Sequence, residues 1–242
     1  AGQLTANTAS GESIPLQAIA RGLDDLAAVF WLQIVCATAG LVVCALIGST
    51  VKTTLGSFGF MLSGAGFALA AATASIYSTR SLFIDADYFY FLTVVNSLGC
   101  LAFGAGLILF LWNYPLSLWP RASKRIALFS FTAFFALTLT EAVDGMALAR
   151  YLPMLLMLIT ALTGLALQWV NTRNRAADRL IVRWISLSVL LGTSIFVLMI
   201  MLPIILGFAE PASQSVVITT FLLMYLSMML AVVRYRLFDL ER

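Results

Sequence analysis

The chain alternates between long apolar stretches and short polar connections. Seven of these stretches approach or exceed the roughly 20 residues that a helix needs to cross a hydrocarbon core of about 30 Å. They span residues 27–48, 54–77, 88–111, 126–146, 150–170, 182–207 and 215–234. The runs lack the strict alternation of barrel strands, so their backbone groups must be satisfied within helices. The pattern predicts an all-α membrane protein, with a bundle of seven transmembrane helices over residues 27–234.

The lysines and arginines are unevenly divided between the two sides of these segments. Basic residues collect on the cytoplasmic side of membrane proteins, and this bias sets the orientation. With the N-terminus outside and the C-terminus in the cytoplasm, 11 of the 14 basic residues lie on the inner side. That inner set is Lys52, Arg121, Lys124, Arg125, Arg173, Arg175, Arg179, Arg183, Arg234, Arg236 and Arg242. The distribution therefore predicts an outer N-terminus and a cytoplasmic C-terminus.

Composition narrows the possible classes of protein. Of the 242 residues, 62% are hydrophobic and only 10% are charged, with a mean hydropathy of +1.00. Soluble domains carry about 25% charged residues, so most of the chain is expected to contact lipid or other helices. The net charge of +3 is too small and too dispersed for nucleic-acid binding. Histidine is absent, which excludes imidazole-based metal, haem and phosphoacceptor sites within these residues. We predict no catalytic residue, metal site or cofactor site in this chain.

Residues 1–26 form the longest polar segment and are predicted to be extracytoplasmic. In one interpretation Ser13 caps a short interfacial helix, because Leu16, Ile19 and Leu23 recur at helical spacing. In the other, the segment is the tail of a larger extracytoplasmic domain that precedes it. We favour the second interpretation, since a mature N-terminus on the outer side requires an upstream signal or span to deliver it.

Two clusters of charged residues are predicted at the outer ends of the helices. Ionisable groups in such positions are candidates for function. One interpretation is that the carboxylates are solvated at the interface and paired with a nearby arginine. The other is that both clusters line an outward-facing pocket for an unidentified small ligand, such as a cation or an amine. The candidate ligand-binding residues are Arg80, Asp85, Asp87, Glu141, Asp144 and Arg150.

Polar side chains are rare in the middle of the predicted helices. Gln33, Asn96 and Ser97 are the main examples. An amide in lipid finds a partner on a neighbouring helix, and the bond contributes roughly 0.6–2 kcal/mol. We therefore favour helix–helix contacts over ligand binding for these residues. Small residues in the second and third predicted spans also predict close helix packing, although they do not identify a dimer face. They are Gly64, Ala68 and Ala72 with Gly66 and Ala70 in the second span, and Gly99, Gly104 and Gly106 in the third.

The C-terminal sequence AVVRYRLFDLER is the most specific motif in the chain. The last predicted span continues without a break into residues 235–242, which we expect to begin a cytoplasmic linker helix that carries motion to a following domain. The linker residues are Arg234, Tyr235, Arg236, Phe238 and Asp239. This ending resembles the RYRLFD junction of bacterial sensor histidine kinases with a polytopic N-terminal sensor region. SIYSTR at 75–80 and LWNYP at 111–115 are similar to features of the same family.

The resemblance implies a homodimeric receptor of the bacterial cytoplasmic (inner) membrane that controls phosphorylation of a response regulator. It places the phosphoaccepting histidine and the module that binds ATP and Mg²⁺ beyond Arg242, so it assigns no catalytic residue to this chain. Two rival functions remain open. One is a small-molecule transporter or channel, although no charged residue lies at mid-depth in the predicted spans. The other is a scaffold subunit that holds partners in the membrane.

Overall fold

The computed structural model describes residues 4–7, 13–16, 23–50, 52–77, 85–140, 146–208 and 214–237. Helices α1 to α6 cover Ala28–Thr50, Leu55–Tyr77, Ala86–Asn113, Pro120–Thr140, Met146–Asn171 and Ala176–Phe196. A π-helical turn (Val197–Met201), the one-turn helix α7 (Leu202–Ile205) and the last helix, α8 (Gln214–Leu237), follow. Six helices are long and apolar enough to cross a membrane, whereas the apolar part of α8, Ser215–Ala231, is shorter. The chain is thus a helical, multi-pass membrane protein, as the sequence predicts.

A short hairpin precedes the helices. Strand β1 (Leu4–Asn7) pairs in antiparallel register with β2 (Ser13–Leu16), Leu4 lying opposite Leu16. A helix that starts at Ser13 is therefore wrong for these residues. The reason is Pro15, because a proline disfavours the α conformation of the residue before it and holds Ile14 extended. A single 3₁₀ turn, Leu23–Asp25, leads into α1.

The helices pack in a ring of pairwise contacts. Successive neighbours are α1, α2, α3, α5, α6 and α8, and α8 closes the ring against α1. Helix α4 packs on α3 and α5 outside this ring, so it is the least buried of the long helices. The main core cluster draws side chains from several helices, including Ile47, Phe60, Ile108, Met157 and Val189. Helix α8 is consequently part of the bundle and not an appendage to it.

The outward surface of the bundle is apolar. Phe129 on α4 is 74% exposed, and Val35 on α1 and Leu223 on α8 are also well exposed. A water-soluble protein does not present contiguous apolar faces on this scale. Because these side chains lie along helices long enough to cross a bilayer, lipid is the solvent that suits them.

Helices α2 and α3 make the closest backbone approach. A methyl group added at Gly106 would lie 2.6 Å from the Gly59 carbonyl oxygen, and one added at Gly99 would lie 2.7 Å from the Ala70 nitrogen. Backbones can approach this closely only where the interface residues are small. The predicted close packing of small residues therefore occurs, with α2 and α3 as its main partners.

Helix ends differ from the limits of the apolar stretches. Helix α6 begins at Ala176 rather than at residue 182, and α4 begins at Pro120, where proline suits a first helical turn. Pro203, which falls within the sixth predicted span, lies just after the π-helical turn Val197–Met201. Proline lacks a backbone N–H, and a π turn is one way for a helix to accommodate that gap. The apolar stretches mark the residues expected to lie within the lipid, whereas the residues at which helices begin and end are set by backbone hydrogen bonding.

Candidate functional site

Tyr225, in the middle of α8, is the most enclosed polar side chain at the junction of α8 with the bundle. It is fully buried, and its hydroxyl donates to the Phe60 carbonyl oxygen and is hydrogen-bonded to the Ser63 hydroxyl, both on α2. Its ring lies 4.6 Å from the Phe60 ring centroid and is stacked at 6.3 Å on Phe67. The phenol thus fixes the rotation and the depth of α8 relative to α2.

Gly64 makes room for this contact. A methyl group at this position would meet the Cys44 sulfur of α1 and would lie 2.9 Å from Cε1 of Tyr225. The Cys44 thiol itself donates weakly to the Met61 carbonyl oxygen at 3.5 Å. Three helices, α1, α2 and α8, therefore meet at one point that only a residue without a side chain can occupy. We call Ser63, Gly64, Cys44 and Tyr225 the α8 junction.

A second set of contacts ties α8 to α3 and α6. The Phe221 ring lies 5.2 Å from that of Phe103 on α3 and 5.3 Å from that of Phe196 on α6. Met224 packs against Gly192, where an added methyl group would lie 2.9 Å from the methionine sulfur. Helix α8 therefore packs directly against α3 and α6 as well as against α2.

The LWNYP motif builds a polar cluster at the far end of α3. Trp112 donates from Nε1 to the Thr160 carbonyl oxygen of α5 at 2.9 Å. Asn113 donates to the Ser123 hydroxyl of α4 at 2.8 Å and accepts from Ser117 at 3.2 Å. The LWNYP motif, which is similar to a feature of sensor histidine kinases, thus joins α3, α4 and α5 at one end of the bundle.

Gln168 connects the α3–α4 turn to the end of α5. Its amide nitrogen donates to the Leu116 carbonyl oxygen at 2.6 Å, and its Oε1 accepts from the Leu116 N–H at 3.4 Å. Gln168 is fully buried, and so is Thr172, which donates to the Gln168 carbonyl oxygen at 2.8 Å. The α5–α6 turn that follows is therefore held in a fixed position against the α3–α4 turn.

The predicted intramembrane polar residues lie on two helices, Gln33 on α1 and both Asn96 and Ser97 on α3. Asn96 on α3 donates to the Ala70 carbonyl oxygen at 2.9 Å and to the Thr73 hydroxyl at 3.3 Å, both on α2. Ser97 donates within its own helix, to the Thr93 carbonyl oxygen at 3.0 Å. Gln33 is fully buried in α1. Asn96 thus makes a contact between α2 and α3, which is the role that we favoured for this group.

The predicted outer pocket is only partly within the described chain. Asp85 caps α3 by accepting from the Tyr88 N–H at 2.7 Å, and Asp87 is exposed in the first turn. Arg150 belongs to α5, but its side chain lies outside the described residues, as do Arg80, Glu141 and Asp144 altogether. Asp85 thus has a structural role as a cap. The ligand-binding pocket stays a prediction.

The predicted signalling linker is partly described as well. Helix α8 continues through Arg234, Tyr235 and Arg236 and ends at Leu237. Phe238 and Asp239 lie outside the described residues. Tyr225 of the α8 junction and the first linker residues are therefore on one uninterrupted helix.

Sequence patterning did not single out Tyr225. The available signal was a tyrosine in the middle of an apolar span, since a buried phenol needs a hydrogen-bond partner. In the described part of the chain no group of three or more Cys, Asp or Glu side chains is placed to hold a metal ion.

No family model, curated protein or solved structure matches the chain. The resemblance to sensor histidine kinases therefore rests on its sequence motifs alone.

Proposed function

We propose that the chain is the membrane sensor region of a bacterial two-component sensor histidine kinase. In this proposal it relays an extracytoplasmic or intramembrane stimulus to a cytoplasmic kinase module. The observation that carries the proposal is the continuity of α8: a single helix, Gln214–Leu237, contains both Tyr225 of the α8 junction and the first residues of the family-like linker. A rigid helix of this kind transmits rotation or translation from a membrane bundle to whatever follows it.

In the proposal α8 is the seventh span, the N-terminus is outside and the C-terminus is cytoplasmic. The apolar part of α8, Ser215–Ala231, spans about 25 Å at 1.5 Å per residue, which is within the lower range for a membrane helix. Arg234 and Arg236 follow it directly, as the cytoplasmic end of a span requires. The positions of the other basic residues support the same orientation.

The proposed mechanism is a shift between two packings of α8. A stimulus acts only if it binds or stabilises the two packings unequally. Tyr225 and Ser63 lock one packing, and contacts with α3 and α6 through Phe221 offer routes by which the outer loops or the lipid change it. Two copies of the chain would pair their linkers, and the kinase module would then phosphorylate a response regulator.

The direct test uses the full-length gene product, including whatever follows Arg242. Membranes that contain it are incubated with ATP labelled on the γ-phosphate and with Mg²⁺. We expect an acid-labile, alkali-stable label on the protein, as phosphohistidine gives, and none on a matched chain that stops at Arg242. Absence of label on the full-length protein, together with solute uptake in liposomes, would replace the kinase proposal with the transporter alternative.

A further inference from the structure

The turn between α5 and α6 carries a concentrated set of arginines. Arg175, Arg179 and Arg183 recur every four residues at the start of α6, so they lie along one side of the helix. We call these three residues the arginine row. Arg175 and Arg183 are exposed and Arg179 is half-buried. Nη1 of Arg179 donates to the Arg173 carbonyl oxygen at 3.3 Å, so the Arg179 side chain lies against the α5–α6 turn.

The charge of the arginine row is poorly balanced. Among the described residues its only ion pair joins Arg175 to Asp178 at 3.8 Å, and both side chains reach water. Like charges four residues apart destabilise a helix, and cations near a helix N-terminus are opposed by its dipole. An anion bound between Arg179 and Arg183 would reduce both the repulsion between the arginines and their unfavourable interaction with the helix dipole.

The row is held in place at a membrane interface. The Arg179 guanidinium lies 5.3 Å from the centroid of the Trp169 ring, a cation–π contact that orients it. Trp169 and Trp184 are both half exposed, as indoles at the headgroup level of a bilayer are. The adjoining turn is anchored by the buried pair Gln168 and Thr172. Dispersed basic residues set topology, whereas the Arg179 guanidinium is held by its contacts with Trp169 and the Arg173 carbonyl oxygen.

Beyond Arg183, the exposed surface of α6 is mainly apolar. Leu187 and Leu191 continue the four-residue spacing from Arg183, and each is about 60% exposed. A ligand that fits therefore has an anionic head beside the arginines and a long apolar tail along the helix. Guanidinium groups bind phosphate through paired N–H donors, which makes a phosphodiester the matching headgroup.

We propose that the arginine row and Trp169 form a binding site for the headgroup of an anionic phospholipid, such as phosphatidylglycerol. Its acyl chain lies along Leu187 and Leu191 in this arrangement. The site does not depend on the kinase proposal or on which side of the membrane α6 begins. Because α6 packs on α8 through Gly192 and Met224, the bound lipid is also in contact with the bundle that carries the output helix.

The test measures tryptophan quenching in the purified full chain in lipid nanodiscs. Phosphatidylglycerol with brominated acyl chains is compared with brominated phosphatidylcholine at the same fraction of an unlabelled background. We expect the anionic lipid to associate about fivefold more strongly, the factor typical of one arginine–headgroup contact. The double variant Arg179→Gln/Arg183→Gln should bring this ratio close to one. Soluble glycerol phosphate in excess should leave the quenching unchanged.

The matched control is Arg121→Gln/Arg125→Gln, two exposed arginines four residues apart at the start of α4. It removes the same charge from an equivalent helix end and should keep the lipid preference. Circular dichroism and the thermal midpoint verify that both variants are folded. The proposal is overturned if the wild-type chain shows no preference, or if the α4 control loses as much preference as the α6 variant. Displacement by glycerol phosphate would instead assign the site to a soluble phosphate and overturn the lipid proposal.

Discussion

The hydroxyls of Tyr225 on α8 and Ser63 on α2 are hydrogen-bonded to each other in the interior of the bundle, although 162 residues separate them in the chain. Both side chains are fully buried, and the Tyr225 hydroxyl donates to the Phe60 carbonyl oxygen, so the Ser63 hydroxyl donates to the phenol oxygen. This small network joins the last helix to α2 through hydrogen bonds. Its strength can be measured directly.

Tyr225→Phe removes the phenol hydroxyl but keeps the ring contacts with Phe60 and Phe67. We expect the free energy of unfolding to fall by about 1 kcal/mol, the net contribution of buried hydrogen bonds. A double-mutant cycle with Ser63→Ala, measured by titration into a denaturing detergent, should give a coupling of roughly 0.6–1.7 kcal/mol. Tyr88→Phe, at an exposed tyrosine of α3, is the control and should have no effect. Additive effects of Tyr225→Phe and Ser63→Ala would show that their hydroxyls are not coupled.

Gly106→Ala tests the close approach of α2 and α3. The added methyl group would meet α2 backbone atoms, which cannot move aside as a side chain can, so we expect a loss of about 1–3 kcal/mol in the free energy of unfolding. Gly104→Ala is the matched control on the same helix, because its methyl group would meet only the flexible Met157 side chain, 3.1 Å away. That control should change stability by less than about 1 kcal/mol. Equal losses in the two variants would contradict the described α2–α3 interface.

Gln168→Leu tests the link between the α3–α4 turn and α5. It leaves the N–H and carbonyl groups of the half-buried Leu116 without the Gln168 amide, and each such group costs up to about 1–3 kcal/mol where water does not reach it. We expect a lower thermal midpoint in detergent and faster proteolysis at the α3–α4 turn. Asn171→Leu changes an exposed amide that bonds only within α5 and should leave both measurements unchanged. Normal stability of Gln168→Leu would show that the link is dispensable.

The proposed orientation predicts opposite labelling of two exposed residues. After replacement of Cys36, Cys44 and Cys100 by alanine, single cysteines are introduced as Asp87→Cys and Asn174→Cys. A membrane-impermeant maleimide applied to spheroplasts should label the variant at residue 87 and should reach residue 174 only after permeabilisation. The reverse pattern would place the N-terminus in the cytoplasm.

Much of the helical framework could be predicted from the sequence, since lipid requires long apolar helices and local composition shows where along the chain they occur. The close packing of α2 and α3 was also visible, because glycine and alanine recur at positions such as Gly99 and Gly106. The residues at which the helices begin and end were harder to predict from the sequence. Ala176 begins α6 within a polar stretch, where backbone hydrogen bonding and not hydropathy decides the boundary.

The α8 junction could not be predicted in the same way. Apolar patterning shows that Tyr225 lies in a span, but not that it faces Ser63, because that contact depends on how distant helices rotate against each other. The same holds for Gln168, whose partner is the Leu116 backbone of another turn. Hydrogen bonds between distant parts of the chain depend on tertiary packing that periodicity does not encode.

In the proposed mechanism α8 transmits the state of the α8 junction to the linker as a rigid helix. Insertions after Arg236 in the full-length protein change the rotation of everything that follows, and autophosphorylation in membranes measures the effect. One inserted alanine turns everything that follows by about 100°, whereas a seven-residue helical insertion turns it by only about 20°. We expect the single insertion to change basal phosphorylation and the seven-residue insertion to restore a level close to that of the wild type. Wild-type phosphorylation after both insertions would contradict transmission through a continuous α8.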